Sequence, residues 1–246
     1  MDGMILGFFL LAAFLGALTT GVAGFAMGLV VSGIWLHILT PLQTVTLMVS
    51  YSVLLQGYGV WKLRHALAWR RVAPFIIGSV IGVPIGAMLL AHIDPAQLRA
   101  GVGLLLLFYS LYYLARPVLE PVQGGAPADI VIGFLNGVLG GLTGLVGIIV
   151  VIWCQLRGWT KDVQRTVFQP VIIATSAMTA VWLGASGAVT ADTAKLFLLG
   201  LPMLLAGTWA GMKLYGRLDE ASFRKVVLIL LLLSGIFLVV PVSISR

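Results

Sequence analysis

Charged side chains are scarce in this chain. Only 9% of its 246 residues are Asp, Glu, Lys or Arg, whereas 60% are hydrophobic, and the mean hydropathy is +1.09. A water-soluble domain cannot bury so large an apolar fraction, so a soluble globular protein is excluded. The composition therefore predicts an integral membrane protein.

Long polar segments are also missing. The longest polar connector, Arg116 to Asp129, has only 14 residues, so no soluble domain fits between the apolar runs. Those runs reach roughly 18 residues or more, which is typical of helices that cross a hydrocarbon core about 30 Å thick. They do not alternate with a period of two, as barrel strands do. The sequence predicts an all-α, polytopic transmembrane helical bundle.

Features of enzymes and of redox proteins are absent too. The single cysteine, Cys154, excludes an internal disulfide, and it lies in an apolar run that favours a buried packing role. The sequence has neither a His/Glu metal cluster nor a Walker loop, so no catalytic residue, metal or cofactor is expected. The net charge of +7 lies in short loops between apolar runs. That arrangement is typical of membrane orientation signals and does not indicate a nucleic-acid partner.

The chain contains an internal repeat. A shift of 125 residues aligns the stretch from Gly82 with the stretch from Gly207 without a gap. Further upstream, the stretch from Thr19 matches the stretch from Gly140 with a slightly shorter shift. We predict two transmembrane repeats, at 1–116 and 129–246, joined by a cytoplasmic linker at 117–128.

Loop charges predict that the two repeats are inverted. Lys62 to Arg71 carries four Lys or Arg and no acid, whereas its counterpart, Ser186 to Lys195, has one Lys and one Asp. In the second repeat the basic residues fall instead at 157–165 and 213–225. If basic loops are cytoplasmic, equivalent loops lie on opposite sides of the membrane, which requires an odd number of crossings per repeat. This topology places 12 of the 15 Lys and Arg residues in the cytoplasm.

Each repeat is predicted to begin with a broken, re-entrant hairpin, at 4–38 and at 129–156, followed by three spans. Both hairpins contain a glycine-rich stretch, at Thr19–Val30 and at Asn136–Gly147. Glycine permits positive φ, and non-helical backbone at membrane depth survives only where it is buried or lines a cavity. The spans are expected at 43–61, 72–91 and 97–115, then at 166–186, 194–213 and 224–242.

The two breaks predict an anion site between the hairpins. A half-helix that begins after a break presents free N–H groups and the positive end of its dipole. None of the eight acids lies at the centre of a predicted span, so tight coupling to protons is not indicated. The expected binding residues are Thr20, Gly21, Gly24, Gly28, Gln43, Gly141, Thr143, Gly144, Gly147, Gln164, Arg165 and Gln169.

Two of these features have a purely structural interpretation as well. Arg165 lies at the mouth of a span, where a charge that only fixes orientation is equally expected. Gly-xxx-Gly spacings often serve only to let helices pack closely. We assign that role to Gly78, Gly82, Gly86, Gly207 and Gly211.

The sequence also resembles the sulfite exporter TauE/SafE family, also called the toluene-sulfonate uptake permease family. The resemblance covers nearly the whole chain. It rests on "GVAGFAMG" from Gly21, the following Pro41, "AWRRVAPFIIGSVIGVPIGAMLL" from Ala68, and the degenerate copy "GGLTGLVG" from Gly140. It implies a multi-pass transporter of the bacterial inner membrane that moves sulfite, sulfonates, sulfoacetate or another small organic anion. The second copy departs from the family pattern, because "GIIVVIW" stands where a proline often follows.

The expected function is therefore potential-driven export, or facilitated passage, of a small sulfur-containing or organic anion. Each negative charge moved outward gains roughly 2.3 kcal/mol per 100 mV. Two alternatives stay open: a carrier of a neutral or cationic solute, and a non-transporting membrane subunit that recruits a partner through its basic loops. The expected partners are the small anion and membrane lipids, and a homodimer is left open.

Overall fold

The protein is all-helical within the residues that its computed structural model describes, which are 3–63, 67–89, 95–115, 121–185 and 189–239. These ranges contain ten α-helices and no strand, which confirms the predicted fold class. The helices are α1 Gly3–Ala23, α2 Met27–Ile38, α3 Pro41–Leu63, α4 Trp69–Leu89, α5 Pro95–Ala115, α6 Ala126–Thr143, α7 Ile148–Leu156, α8 Lys161–Ala185, α9 Ala191–Tyr215 and α10 Glu220–Val239.

Within the described residues, all six predicted spans correspond to helices, namely α3, α4, α5, α8, α9 and α10. Residues 90–91, 186 and 240–242 of those spans and residues 117–120 of the predicted linker lie outside the described residues. The largest difference in boundaries is at α8, which was expected from residue 166 and begins at Lys161. By length and composition, five of the described helices are able to cross a membrane: α1, α4, α6, α8 and α9. The chain is therefore a multi-pass membrane protein, as predicted.

Both glycine-rich stretches interrupt a helix. The first break separates α1 from α2 at Gly24, where φ is +90°. The second separates α6 from α7 between Gly144 and Gly147, where φ is +72° and +95° respectively. Residues with a Cβ rarely adopt such angles, so glycine at these positions allows the chain to turn. We call α1 and α2 the first hairpin, and α6 and α7 the second hairpin.

In the first hairpin, α2 folds back along α1. Near the open end, the rings of Phe9 and Trp35 stack with their centroids 4.9 Å apart. Near the break, a Cβ on Gly16 would lie 2.8 Å from the sulfur of Met27. The contacts therefore run in opposite directions along the two helices. Because α2 has only 12 residues, or about 18 Å, it is too short to cross the membrane itself.

The second hairpin folds in the same way. Trp153 Nε1 donates to Asp129 Oδ1 at 2.8 Å near the open end, and Gly147 N donates to Asn136 Oδ1 at 2.9 Å near the break. Its returning helix, α7, has nine residues and is also too short to span.

Glycines bring the hairpins into close contact with distant helices. The first seam joins α1 to α9, where a Cβ on Gly207 would lie 2.4 Å from Phe14 O. The second seam joins α4 to α6, where a Cβ on Gly82 would lie 2.2 Å from Phe134 O. Real Cβ atoms do not approach a carbonyl so closely, so these helices pack backbone to backbone, as the glycine spacing predicts.

Two further helix pairs complete the bundle: α3 packs against α8, and α5 packs against α10. A Cβ on Gly57 would lie 3.6 Å from Ile173, and one on Gly59 would lie 2.7 Å from Gln169. Residue numbers rise along α3 while they fall along α8, so this pair is antiparallel. These two helices supply side chains that lie against both breaks: Arg165 against Gly24, and Val45 and Ile172 against Gly144 and Gly147.

Candidate functional site

A narrow cavity lies beside the break of the first hairpin, between α3, α8 and α9. It has room for about one water molecule. None of its lining side chains is acidic. The lining residues are Thr20, Gly21, Leu55, Gln56, Gly59, Arg165, Gln169, Thr208 and Met212.

Arg165 connects this cavity to the end of α1. Its side chain is buried, with 3% of the residue exposed, and its Nη2 donates to Gly21 O and, at 2.9 Å, to Val22 O. The last carbonyls of a helix have no intrahelical donor, and the helix dipole places partial negative charge there. The guanidinium therefore caps α1 and stabilises the break.

The Nε–H of Arg165 takes no part in these bonds. Its Nε has no hydrogen-bond partner among the described residues, and it lies 3.3 Å from the position that a Cβ on Gly24 would take. The guanidinium carbon lies 3.7 Å from the centre of the Tyr215 ring, which is a cation–π contact. The two carbonyl bonds and the Tyr215 contact thus fix the guanidinium, and its Nε–H remains as a donor beside the break.

Gln56 stabilises the same break from α3. Its Nε2 donates to Gly24 O at 2.6 Å, whereas its Oε1 has no partner among the described residues. Gln169 Oε1, on the other side of the cavity, is also buried without a partner there. An unpaired buried polar atom is unfavourable, so each of these two oxygens would gain a hydrogen bond from a donor in the cavity.

The first turn of α2 adds backbone donors. Ala26 precedes the helix and makes no side-chain cap, and Val30 N is the amide that bonds back to Ala26 O. The amides of Met27, Gly28 and Leu29 therefore have no acceptor within the helix. They follow directly after Gly24, which lies against Arg165. Backbone N–H groups at a helix start combined with a buried cation suit an anion.

Apolar side chains lie against both glycines of the second break, and the one polar side chain that bonds to Gly147 is the uncharged Asn136. A Cβ on Gly144 would lie 3.0 Å from Val45, and one on Gly147 would lie 2.4 Å from Ile172. Thr143 bonds within the hairpin, donating to Leu139 O at 2.8 Å and accepting from Leu145 N at 3.1 Å. This break therefore lacks the charged neighbour that the first break has.

Some of the predicted binding residues lie at the cavity beside the first break, and others lie at the second break. Thr20, Gly21, Arg165 and Gln169 line the cavity, and Gly24 lies beside it. Thr143, Gly144 and Gly147 surround the second break instead.

Four other predicted residues lie elsewhere. Gly28 lies where the hairpins meet, since a Cβ there would be 3.4 Å from Leu145. Gly141 packs in the second seam, with a Cβ position 2.4 Å from Val83 O. Two glutamines form local bonds: Gln43 accepts from Thr40 N at 3.2 Å, and Gln164 donates to Trp159 O at 2.7 Å.

Sequence reasoning missed Gln56, Gly59, Thr208 and the two apolar lining residues. Gln56 is a polar residue inside a predicted span, and such a residue is a candidate for a binding role. Nothing in the sequence, however, indicates that it bonds to Gly24. Gly59 shares one face of α3 with Gln56 because the two are three residues apart.

The end of α9 closes over Arg165. Tyr215 OH donates to Asp162 Oδ1, and Lys161 Nζ donates to Leu218 O. These two contacts link the start of α8 to the end of α9. In the turn after α9, hydrogen bonds from the side chain and backbone of Ser222 lower the pKa of Asp219.

The nearby surface is basic and aromatic. Arg157 and Arg71 both lie over the ring of Trp159, with distances of 5.0 and 5.6 Å from guanidinium carbon to ring centre. A concentration of positive charge around a cleft raises the local concentration of anions. Within the described ranges, no three His, Cys, Asp or Glu side chains lie close enough together to hold a metal ion.

Comparison with known proteins identifies the family. No curated protein and no solved structure matches the chain significantly. Residues 9–238 match the family described as "Sulfite exporter TauE/SafE", which is nearly the whole chain. The chain therefore belongs to the sulfite exporter TauE/SafE family and is a membrane transporter.

Proposed function

We propose that this transporter carries a small sulfur-containing or organic oxyanion, of the sulfite or sulfonate type, across a bacterial inner membrane. The site is the cavity beside the first break. The observation that carries the proposal is Arg165: a buried cation whose Nε has no hydrogen-bond partner among the described residues and lies beside Gly24, the break that precedes α2. Family membership supports the substrate class.

Electrostatics favour an anion over a cationic or neutral solute. The cavity lining contains one arginine and no acid. A cation 4 Å from a guanidinium is repelled by about 4 kcal/mol at an effective dielectric constant of 20, and an anion is attracted by a similar amount. Part of this charge already stabilises the end of α1, so the attraction available to a substrate is smaller.

We further propose that the chain consists of two inverted repeats, at 1–116 and 129–246, with 117–128 between them. The two seams support this proposal, because they join equivalent helices. In the proposed repeats α1 corresponds to α6 and α9 corresponds to α4, so the α1–α9 seam is equivalent to the α6–α4 seam. Phe14 corresponds to Phe134, and Gly207 corresponds to Gly82. The antiparallel packing of α3 against α8 also supports it, since helices related by inversion run in opposite directions.

Transport through this cavity requires movement, since it admits only about one water molecule. The seams indicate what moves together: α1 is attached to α9, and α6 is attached to α4. Separation of the first seam from α3 and α8 would open the cavity. No lining group is acidic, so the membrane potential alone favours exit of the anion, by roughly 2.3 kcal/mol per charge and 100 mV.

The test is flux of sulfite and of sulfoacetate from proteoliposomes, with and without an imposed inside-negative potential. We expect the potential to accelerate exit and Arg165→Met to reduce the flux at least about tenfold, the equivalent of one lost charge-assisted hydrogen bond. Lys195→Met is the control, because Lys195 forms an exposed ion pair with Asp192.

Two results would contradict the proposal. One is an absence of flux for every small oxyanion. The other is inhibition by cations or neutral solutes while anions leave transport unchanged, which would favour a carrier of another solute. Stable co-purification of a second protein together with no flux would favour the non-transporting subunit.

A further inference from the structure

We propose that the transported anion carries a hydrogen-bond donor of its own in addition to its negative charge. This inference rests on the proposed function of the cavity beside the first break. It comes from the polar atoms that the cavity leaves unpaired: two amide oxygens, on Gln56 and Gln169, and one N–H group, on Arg165.

The orientation of the Gln56 amide is determined by its partner. Gly24 O can only accept a hydrogen bond, so the amide must present Nε2 to it, at 2.6 Å. The oxygen of the same amide then points away from Gly24. Gln56 is 2% exposed, so water outside the protein cannot pair with this oxygen.

Gln169 contributes the second acceptor. It is 4% exposed, and its Oε1 lies 2.7 Å from where a Cβ on Gly59 would be. A side chain at position 59 would therefore collide with this amide, and glycine avoids the collision. Rotation of the Gln169 amide would exchange its oxygen for NH₂, but Gln56 cannot rotate without giving up its bond to Gly24.

The donors nearby do not pair with these oxygens. The two lining hydroxyls donate within their own helices, Thr20 to Gly16 O and Thr208 to Leu204 O, both at 2.7 Å. Arg165 Nε offers one N–H to an anionic oxygen. An anion without a donor would satisfy Arg165 but would bring its lone pairs against the amide oxygens.

An anion with an O–H group satisfies both kinds of atom at once, since its charged oxygens accept from Arg165 and its O–H donates to Gln56 or Gln169. This chemistry is shared by a protonated inorganic oxyanion, such as hydrogensulfite, and by a hydroxyalkyl sulfonate. A site built to pair with a hydroxyl discriminates strongly against an analogue that lacks it.

The experiment compares 2-hydroxyethanesulfonate with ethanesulfonate as competitors of labelled sulfite bound to the purified full-length chain. The two have the same charge and differ by one hydroxyl group. We expect the hydroxy compound to bind about tenfold more tightly, as for one hydrogen bond to an otherwise unpaired buried group. A second arm repeats the sulfite measurement above and below the pH at which hydrogensulfite loses its proton, and weaker binding is expected above it.

Gln169→Met tests the assignment, because methionine has a similar length and no acceptor of comparable strength. It should reduce the preference for the hydroxy compound several-fold while ethanesulfonate still binds. Gln155→Met is the matched control: Gln155 is another buried glutamine with an unpartnered amide, but it lies in α7, outside the cavity lining. It should leave the preference unchanged.

The outcomes separate this inference from the proposed function. If both sulfonates displace sulfite equally and Gln169→Met has no effect, the inference is wrong while the anion site stands, and a bound water then pairs with the amide oxygens. If neither sulfonate nor sulfite binds at all, the proposed function itself is wrong.

Discussion

The first hairpin breaks at Gly24 and the second at Gly144, both with positive φ, yet their surroundings differ. A Cβ on Gly24 would lie 3.3 Å from Arg165 Nε, whereas one on Gly144 would lie 3.0 Å from Val45. Gly24 and Gly144 are 120 residues apart, and so are Val45 and Arg165, which places the two neighbours at equivalent positions in the proposed repeats. Both hairpins therefore have a glycine break, but only the first break has a charged side chain, Arg165, at this position.

The open ends of the hairpins show the reverse arrangement. The first is closed by apolar packing, with Trp35 stacked on Phe9 and 5.9 Å from Tyr51 between ring centres. The second is closed by polar contacts, in which Asp129 accepts from Trp153 and pairs with Arg157 at 3.5 Å.

The polar contacts of both hairpins involve arginines near the start of α8. Arg157, at the open end of the second hairpin, lies only eight residues before Arg165, at the break of the first. The two arginines are therefore held by one short stretch of chain, 157–165.

The largest predicted effects come from the seams, where the two hairpins are alike. Gly82→Val and Gly207→Val each place a Cβ within 2.4 Å of a backbone carbonyl oxygen. Backbone cannot yield as a side chain can, so each should cost more than about 4 kcal/mol and prevent recovery of folded protein. The measurement is the yield of monodisperse protein in detergent.

Gly101→Val is the control for the seam variants, because nothing lies within 4 Å of a Cβ at that position. It should change stability by less than about 1 kcal/mol. If only one seam variant fails to fold, the α1–α9 and α4–α6 seams are not equally important for folding. That result would contradict the proposed correspondence of the repeats.

The next largest effect should separate the two breaks. Arg165→Met leaves Gly21 O and Val22 O without their donor, which should lower the free energy of unfolding by about 3 kcal/mol. Val45→Met, at the equivalent position, exchanges one apolar side chain for another and should cost less than about 1.5 kcal/mol. Thermal unfolding in detergent measures both. Equal destabilisation would mean that Arg165 does not cap the first break.

Hydropathy and glycine spacing predicted the helices and both breaks, because each depends on residues close together in the sequence. The contacts around the first break could not be predicted in the same way. Arg165 reaches Gly21 across 144 residues and Gln56 reaches Gly24 across 32, and a single sequence does not encode such distances locally. That Thr20, Gly21, Arg165 and Gln169 bind the anion stays a prediction, as does any binding role for Gln43, Gln164 and the second break.

The smallest predicted effect distinguishes the open ends. Asp129→Asn keeps an acceptor for Trp153 and loses the ion pair with Arg157, whereas Trp35→Phe loses the hydrogen bond to Phe9 O at 3.3 Å. Asp129→Asn should cost about 1 kcal/mol. Trp35→Phe should cost somewhat more, because the smaller ring also leaves part of a fully buried position unfilled. Salt screens a partly exposed ion pair but hardly affects a buried neutral hydrogen bond, so the cost of Asp129→Asn should shrink in high salt and that of Trp35→Phe should not. Unfolding temperatures measured at low and high salt decide this: the same salt response in both variants would mean that charge does not close the second hairpin.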